Sequence, residues 1–310
     1  MKKPWLAYAL ITTGFWGVWG AFAEFPTRHG FPETLVYMVW ALTMIPPALY
    51  AMHRAGWRVL RDPKSMLLGS LIGLTGAGGQ MLLFHAVHTG PTYLIFPIIA
   101  LSPVITIALS MLFLKERVTK IGALGVALAL IALPLFNYSP GGQADAAITN
   151  AALAGAAGVQ GVTWFVYALI ILLAWGVQAY FMKLANGTMD AENIFLYMTL
   201  TGLALIPVAL WMTDFGVPIE YGWQGPGLAA ITQILNAVGA LTLVYAFRYG
   251  RALVVAPLAN AGAPMITAIV SMMVLGATPN AVTVIAIALA FLAAALLAIE
   301  PEEKLVEQPV

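Results

Sequence analysis

The side chains with chemical capability inside the apolar parts of this chain are few, and they are neutral. Gln80, Gln178, Asn236 and Asn260 fall within long hydrophobic runs, as do Ser102, Thr106 and Gln233. An amide surrounded by hydrocarbon needs a hydrogen-bond partner, so these groups are expected to face protein or a wet cavity, not lipid. Trp16, Trp19 and Trp175 lie at comparable depth, whereas Trp5, Trp40, Trp164 and Trp211 lie near span ends, where an interfacial belt is the expected placement. Indoles around a cavity offer flat apolar walls and negative ring faces, which suit aromatic solutes or cations. These seven residues, Trp16, Trp19, Gln80, Trp175, Gln178, Asn236 and Asn260, form the expected substrate-contacting set. The plainer alternatives are that the amides bond helix to helix and that the indoles are core.

Other chemistries find no residues to carry them. Essentially no charge falls at mid-span, so an ion site built on a fixed carboxylate is not expected. There is no cysteine, which removes disulfides, thiolate zinc sites and thiol nucleophiles. The chain lacks a His-Glu-x-x-His pair, a serine-nucleophile motif, paired intramembrane aspartates and a phosphate-binding loop. Catalysis, a cofactor and ATP coupling within this chain are therefore not expected, and no basic patch offers a nucleic-acid surface.

The elements that position the amides and indoles must be membrane spans. With 61% hydrophobic and 9% charged residues, the 310-residue chain has too little charge to cover a soluble domain. Hydropathy marks ten segments near 5–22, 34–52, 66–87, 92–114, 120–136, 162–184, 193–212, 226–247, 252–274 and 280–299. Two of them are interrupted by proline pairs, Pro97 and Pro103 in 92–114 and Pro257 and Pro264 in 252–274. An internal proline removes a backbone donor and bends the axis, which lipid tolerates only against protein or water. These four prolines are the expected hinges. Glycine crowds the third segment at Gly69, Gly73, Gly76, Gly78 and Gly79, for close helix packing or a hinge. The tenth segment is alanine-rich, for scaffold packing or a homodimer contact.

The two halves repeat at an offset of 159 to 161 residues. Tyr8-Ala9-Leu10-Ile11 returns as Tyr167-Ala168-Leu169-Ile170, Trp16-Gly17-Val18 as Trp175-Gly176-Val177, and Pro46 as Pro207. Ala86, Gly90 and Pro97 return as Ala246, Gly250 and Pro257. Five spans per half is odd, so the second repeat enters the membrane inverted. With the N-terminus in the cytoplasm, thirteen of the fourteen Lys and Arg residues fall on that side and Arg28 alone outside. The expected architecture is an all-α membrane protein of ten helices. Residues 1–136 and 162–299 form the repeats, 137–161 an external linker and 300–310 a cytoplasmic tail, with both termini cytoplasmic. A signal peptide ending near Ala23 is the competing reading of the N-terminus.

The stretch Ala86-Val87-His88-Thr89-Gly90, Leu101-Ser102-Pro103-Val104 and Leu114-Lys115-Glu116-Arg117-Val118-Thr119, with Gly122 and Gly125, resembles the drug/metabolite transporter superfamily, in its EamA-type ten-helix branch. The resemblance implies a multi-pass carrier in the plasma membrane, the inner membrane for a bacterial protein, working by alternating access. It is similar to that superfamily's amino-acid exporters, which implies outward transport. A small neutral or zwitterionic metabolite is the expected substrate. A quaternary ammonium compound or drug in an aromatic cage is the main alternative, and an intramembrane enzyme or a membrane scaffold are the remote ones. The second half has Leu275-Gly276-Ala277-Thr278-Pro279 where the first has its acid. Glu116 is expected to neutralise Lys115 or Arg117, and Thr119 to cap the fifth segment.

Overall fold

A computed structural model describes residues 3–89, 95, 98–136, 163–275 and 280–299. Pro97, Gly90, the side chains of His85 and His88, the turn 276–279, the linker 137–161 and the tail 300–310 lie outside the described residues.

The regular structure among the described residues is helical, because a backbone in hydrocarbon must satisfy its own donors and acceptors. In chain order they are α1 (Pro4–Phe22), α2 (Phe25–Arg28), α3 (Glu33–Thr43), α4 (Ile45–Arg54), α5 (Pro63–Thr89), α6 (Ser102–Phe113) and α7 (Lys120–Phe136). The second half holds α8 (Thr163–Ala185), α9 (Ala191–Ala204), α10 (Ile206–Met212), α11 (Leu228–Tyr249), α12 (Ala252–Leu275) and α13 (Ala281–Ala298). Eight spans among the described residues are long and apolar enough to cross a membrane, and two shorter apolar helices cover 98–113 and 120–135.

Proline decides where the spans break. Pro46 and Pro47 open α4 just after Met44, and Pro207 opens α10 just after Leu205, so the second span of each half is two helices in series. The pair expected as matched hinges behaves unequally. Pro257 and Pro264 lie inside the continuous α12, whereas Pro103 sits in the first turn of α6 after a break at Leu101. A proline in a helix's first turn displaces no hydrogen bond, since those amides have no intrahelical partner.

The halves pack on each other in exchange. α1 lies along α11 and α12 of the second half, while its mate α8 lies along α5 and α6 of the first. Glycine makes both approaches possible. A Cβ on Gly17 would stand 2.4 Å from the Ile266 side chain, and one on Gly176 would stand 2.5 Å from Ile105. The hydroxyls follow the same relation: Thr267 donates to the Gly17 carbonyl at 2.8 Å, and Thr106 to the Gly176 carbonyl at 2.9 Å. Offsets of 159 between the glycines and 161 between the threonines carry the sequence repeat into a pseudo-two-fold contact pattern.

The turn between α6 and α7 ties the halves at another point. Lys115 takes a left-handed φ of 55°, and Glu116 next to it is 7% exposed. The Glu116 carboxylate accepts the amides of Ala252 and Leu253, each at 3.1 Å, and so caps α12 across the repeat boundary. Local neutralisation, the expected role, leaves this reach to the other half undescribed. Thr119 accepts the Gly122 amide at 3.1 Å and caps α7, as its position predicts.

Candidate functional site

Between the halves lies a cavity of about 670 Å³. It is lined by Trp16, Trp19, Gln80, Trp175, Gln178, Asn236 and Asn260, together with Pro103 and Pro264, but not by Pro257. Among the described residues, no Asp, Glu, Lys, Arg or His side chain lines it.

The indoles are held by their N–H groups. Trp16 donates to the Asn236 carbonyl at 3.2 Å, and its mate Trp175 to the Gly76 carbonyl at 3.3 Å. Those acceptors are themselves 160 residues apart, so the two tryptophans occupy equivalent seats. Each ring packs closely against a glycine: a Cβ on Gly239 would stand 2.4 Å from Trp16, and one on Gly79 would stand 2.5 Å from Trp175. Trp19 donates to Gln233 Oε1 and Trp40 to Asn236 Oδ1, both at 3.2 Å. With all four donors engaged inside the protein, the rings present faces and edges to the cavity. They form apolar walls and offer no hydrogen-bond donor to a ligand.

The free polar capacity belongs to the amides. Gln80 and Gln178 make no hydrogen bond to any described residue, so each has a donor and an acceptor available to the cavity. One comes from each half. Asn236 Oδ1 already accepts from Trp40, and Asn260 Nδ2 already donates one of its two protons to the Ala256 carbonyl at 2.9 Å. The site therefore offers neutral donors and acceptors on aromatic walls.

Sequence reasoning missed several lining residues. Trp40 was expected in the interfacial belt and instead forms part of the wall, because α3 faces α11 and not lipid alone. Trp5, also expected in the belt, is 1% exposed in the core below the cavity. Met44, Met182 and Met198 line the cavity as well, and flexible thioethers in an apolar run carry no sequence signal to separate them from core. The repeat itself could have flagged Thr267, the mate of Thr106.

Among the described residues, the cavity's lining extends toward one end of the bundle. Thr283, near the start of α13, and Gly20, near the end of α1, belong to its lining. In the opposite direction the space is filled by Trp5, Ala9, Phe195, Phe247 and Val255, all at most 1% exposed.

The EamA-like transporter family model matches residues 3–138 and again 162–299. The chain belongs to the EamA-like transporter family. Two copies of the family unit thus account for the two exchanged halves, and the chain is a multi-pass membrane protein of the drug/metabolite transporter superfamily. It is 25% identical over 276 residues to protein RarD of Streptomyces exfoliatus, across 84% of this chain and 76% of that one. A shorter match, 31% over 81 residues, joins 26% of this chain to an uncharacterized protein of Methanocaldococcus jannaschii, spanning 59% of that relative's length. A crystal structure aligns with a TM-score of 0.71 at 18% identity over 94% of this chain and 98% of its own, a likeness of fold.

Proposed function

We propose that this EamA-family protein is a secondary carrier of a small neutral or zwitterionic metabolite, such as an amino acid, and that it moves its substrate outward by alternating access. The observation that carries the reading is the cavity's inventory among the described residues: no ionisable side chain, four indoles with their donors already used, and one uncommitted glutamine from each half. A fixed ionic substrate would leave its charge without a counter-charge in a low-dielectric site, at a cost of several kcal/mol. A zwitterion carries its own compensation, and amides can serve both of its ends.

Gln80, Gln178, Asn236 and Asn260 act in this reading as the hydrogen-bonding contacts, with Trp16, Trp19 and Trp175 as the walls. Pro264 and Pro103 let α12 and the start of α6 bend around the site, with Pro257 and Pro97 completing the hinge set. Ten spans in two inverted repeats, with both termini cytoplasmic, are supported by the Lys and Arg distribution and by the odd span number per repeat. In that orientation the cavity opens outside and the packed end is cytoplasmic. Outward transport is the direction of the superfamily's amino-acid exporters that the chain resembles, and a bacterial inner membrane would be its location.

The indole faces favour one other substrate class, quaternary ammonium compounds held by cation–π attraction. Uptake into proteoliposomes separates the two. Saturable flux of neutral amino acids supports the first reading. Flux of quaternary amines, with none for any amino acid, overturns it.

A further inference from the structure

We infer that Lys183 is the latch of the gate opposite the cavity mouth, and that it fastens that end alone. At the end of α8 the Lys183 ammonium donates to the carbonyls of Phe247 at 3.2 Å and Gly250 at 2.8 Å. One turn on, Asn186 Nδ2 donates to the Val244 carbonyl at 3.1 Å. The Phe247 and Gly250 carbonyls lie in the last turn of α11 and just beyond it, where a helix has unsatisfied acceptors and the negative end of its dipole, and Val244 lies one turn earlier. The ties cross from α8, which packs on the first half, to α11, which packs on α1. They bridge the seam that must part if solute is to leave the cavity through this end.

The pseudo-symmetry shows that the latch is unequal. α8 packs against both α11 and α12, whereas among the described residues α1 makes no comparable contact with α5 or α6, the corresponding elements. At the repeat offset of 159, the position matching Lys183 is Glu24. A carboxylate cannot donate to carbonyls, and Glu24 instead pairs with Arg28 at 2.8 Å on the exposed surface. The chain therefore has a cationic fastener at one gate and no counterpart in the matching position at the other. It biases the carrier toward the state open at the cavity mouth.

This inference rests on the alternating-access reading, but its test needs no substrate, so a failure here is distinct from a failure to find flux. The chain has no cysteine, which makes it a ready background for single thiols. Ala246 in α11 is fully buried beside the latch, and Ala293 is 1% exposed in the packing of α7 against α13. The measurement is the N-ethylmaleimide labelling rate of Ala246→Cys in proteoliposomes, with and without Lys183→Met. The expected result is a rise of about tenfold, the population shift that one charge-assisted hydrogen bond supplies. Ala293→Cys should label no faster in the same background, and Lys183→Arg, which keeps charge and donors, should be slower than Lys183→Met. Asn186→Leu should raise the rate less, and it decides the matter if Lys183→Met does not insert stably. An unchanged rate at Ala246→Cys, an equal rise at Ala293→Cys, or Lys183→Arg labelling as fast as Lys183→Met would overturn the proposal.

Discussion

Trp40 and Asn236 meet across the repeat boundary, the Trp40 indole donating to Asn236 Oδ1 at 3.2 Å while the Asn236 main chain accepts from Trp16. One asparagine on α11 thus fixes two of the cavity's aromatic walls, one through its side chain and one through its carbonyl. Its Nδ2 makes no hydrogen bond to any described residue.

Replacing Asn236 with alanine should weaken solute binding about tenfold, in line with the loss of one hydrogen bond and of a wall's orientation. Trp40→Phe should weaken it through the same link, so the double variant should fall short of the sum of the two single effects. Binding isotherms on the purified protein test this, and strict additivity would show that the Trp40 bond does not position the amide.

The glycine seats make a second prediction. Gly79→Ala and Gly239→Ala place a methyl within 2.5 Å of the Trp175 and Trp16 rings, closer than any ordinary contact. Both indoles must shift, at about 1–3 kcal/mol of overpacking each. Lowered thermal stability with altered tryptophan fluorescence is the expected outcome, and the effect should be similar in the two variants because the seats are equivalent.

Glu116 should prove structural through its reach to α12. Glu116→Ala leaves the amides of Ala252 and Leu253 without their acceptor, and the loss of such a cap costs about 0.5–2 kcal/mol. Glu116→Gln keeps one oxygen acceptor and should retain part of the stability. Thermal unfolding of the three proteins measures it; identical midpoints would remove the cap from the account.

Asp62 supplies a pH-dependent term at the start of α5, outside the membrane spans. Hydrogen bonds from Ser65 hold its carboxyl below the usual carboxylate range, with the Ser65 amide at 2.9 Å. A depressed folded-state pKa contributes stability that is present above the unfolded value and lost as pH falls through the lower folded value. The first turn of α5 should therefore fray on acidification, and the fraying should vanish in Asp62→Asn. Amide exchange at Ser65 and Met66 reads it directly.

How far the sequence could be read depended on what each signal encodes. The repeat was legible because its residues make contacts: Gly17 and Gly176 touch equivalent isoleucines, and Trp16 and Trp175 sit on equivalent glycines. The seven polar and aromatic positions stood out because amides and deep indoles in hydrocarbon require an interior. Trp40 and Trp5 were misplaced because distance from a span's end measures depth but not which face of a helix meets protein. Pro103 was read as a kink, whereas the break at Leu101 makes it the start of a helix, a distinction of backbone continuity that spacing does not carry. The Glu116 cap depends on a contact between residues 136 positions apart, which no local pattern announces.

In the proposed function a neutral or zwitterionic solute is carried through this cavity and recognised by Gln80 and Gln178. Flux of a panel of labelled neutral amino acids and quaternary amines into proteoliposomes, compared between the parent protein and Gln80→Leu and Gln178→Leu, tests it most directly. Saturable flux of at least one neutral amino acid is expected, with KM raised about tenfold by either substitution. Flux confined to quaternary amines, or amino-acid flux indifferent to both glutamines, would contradict it.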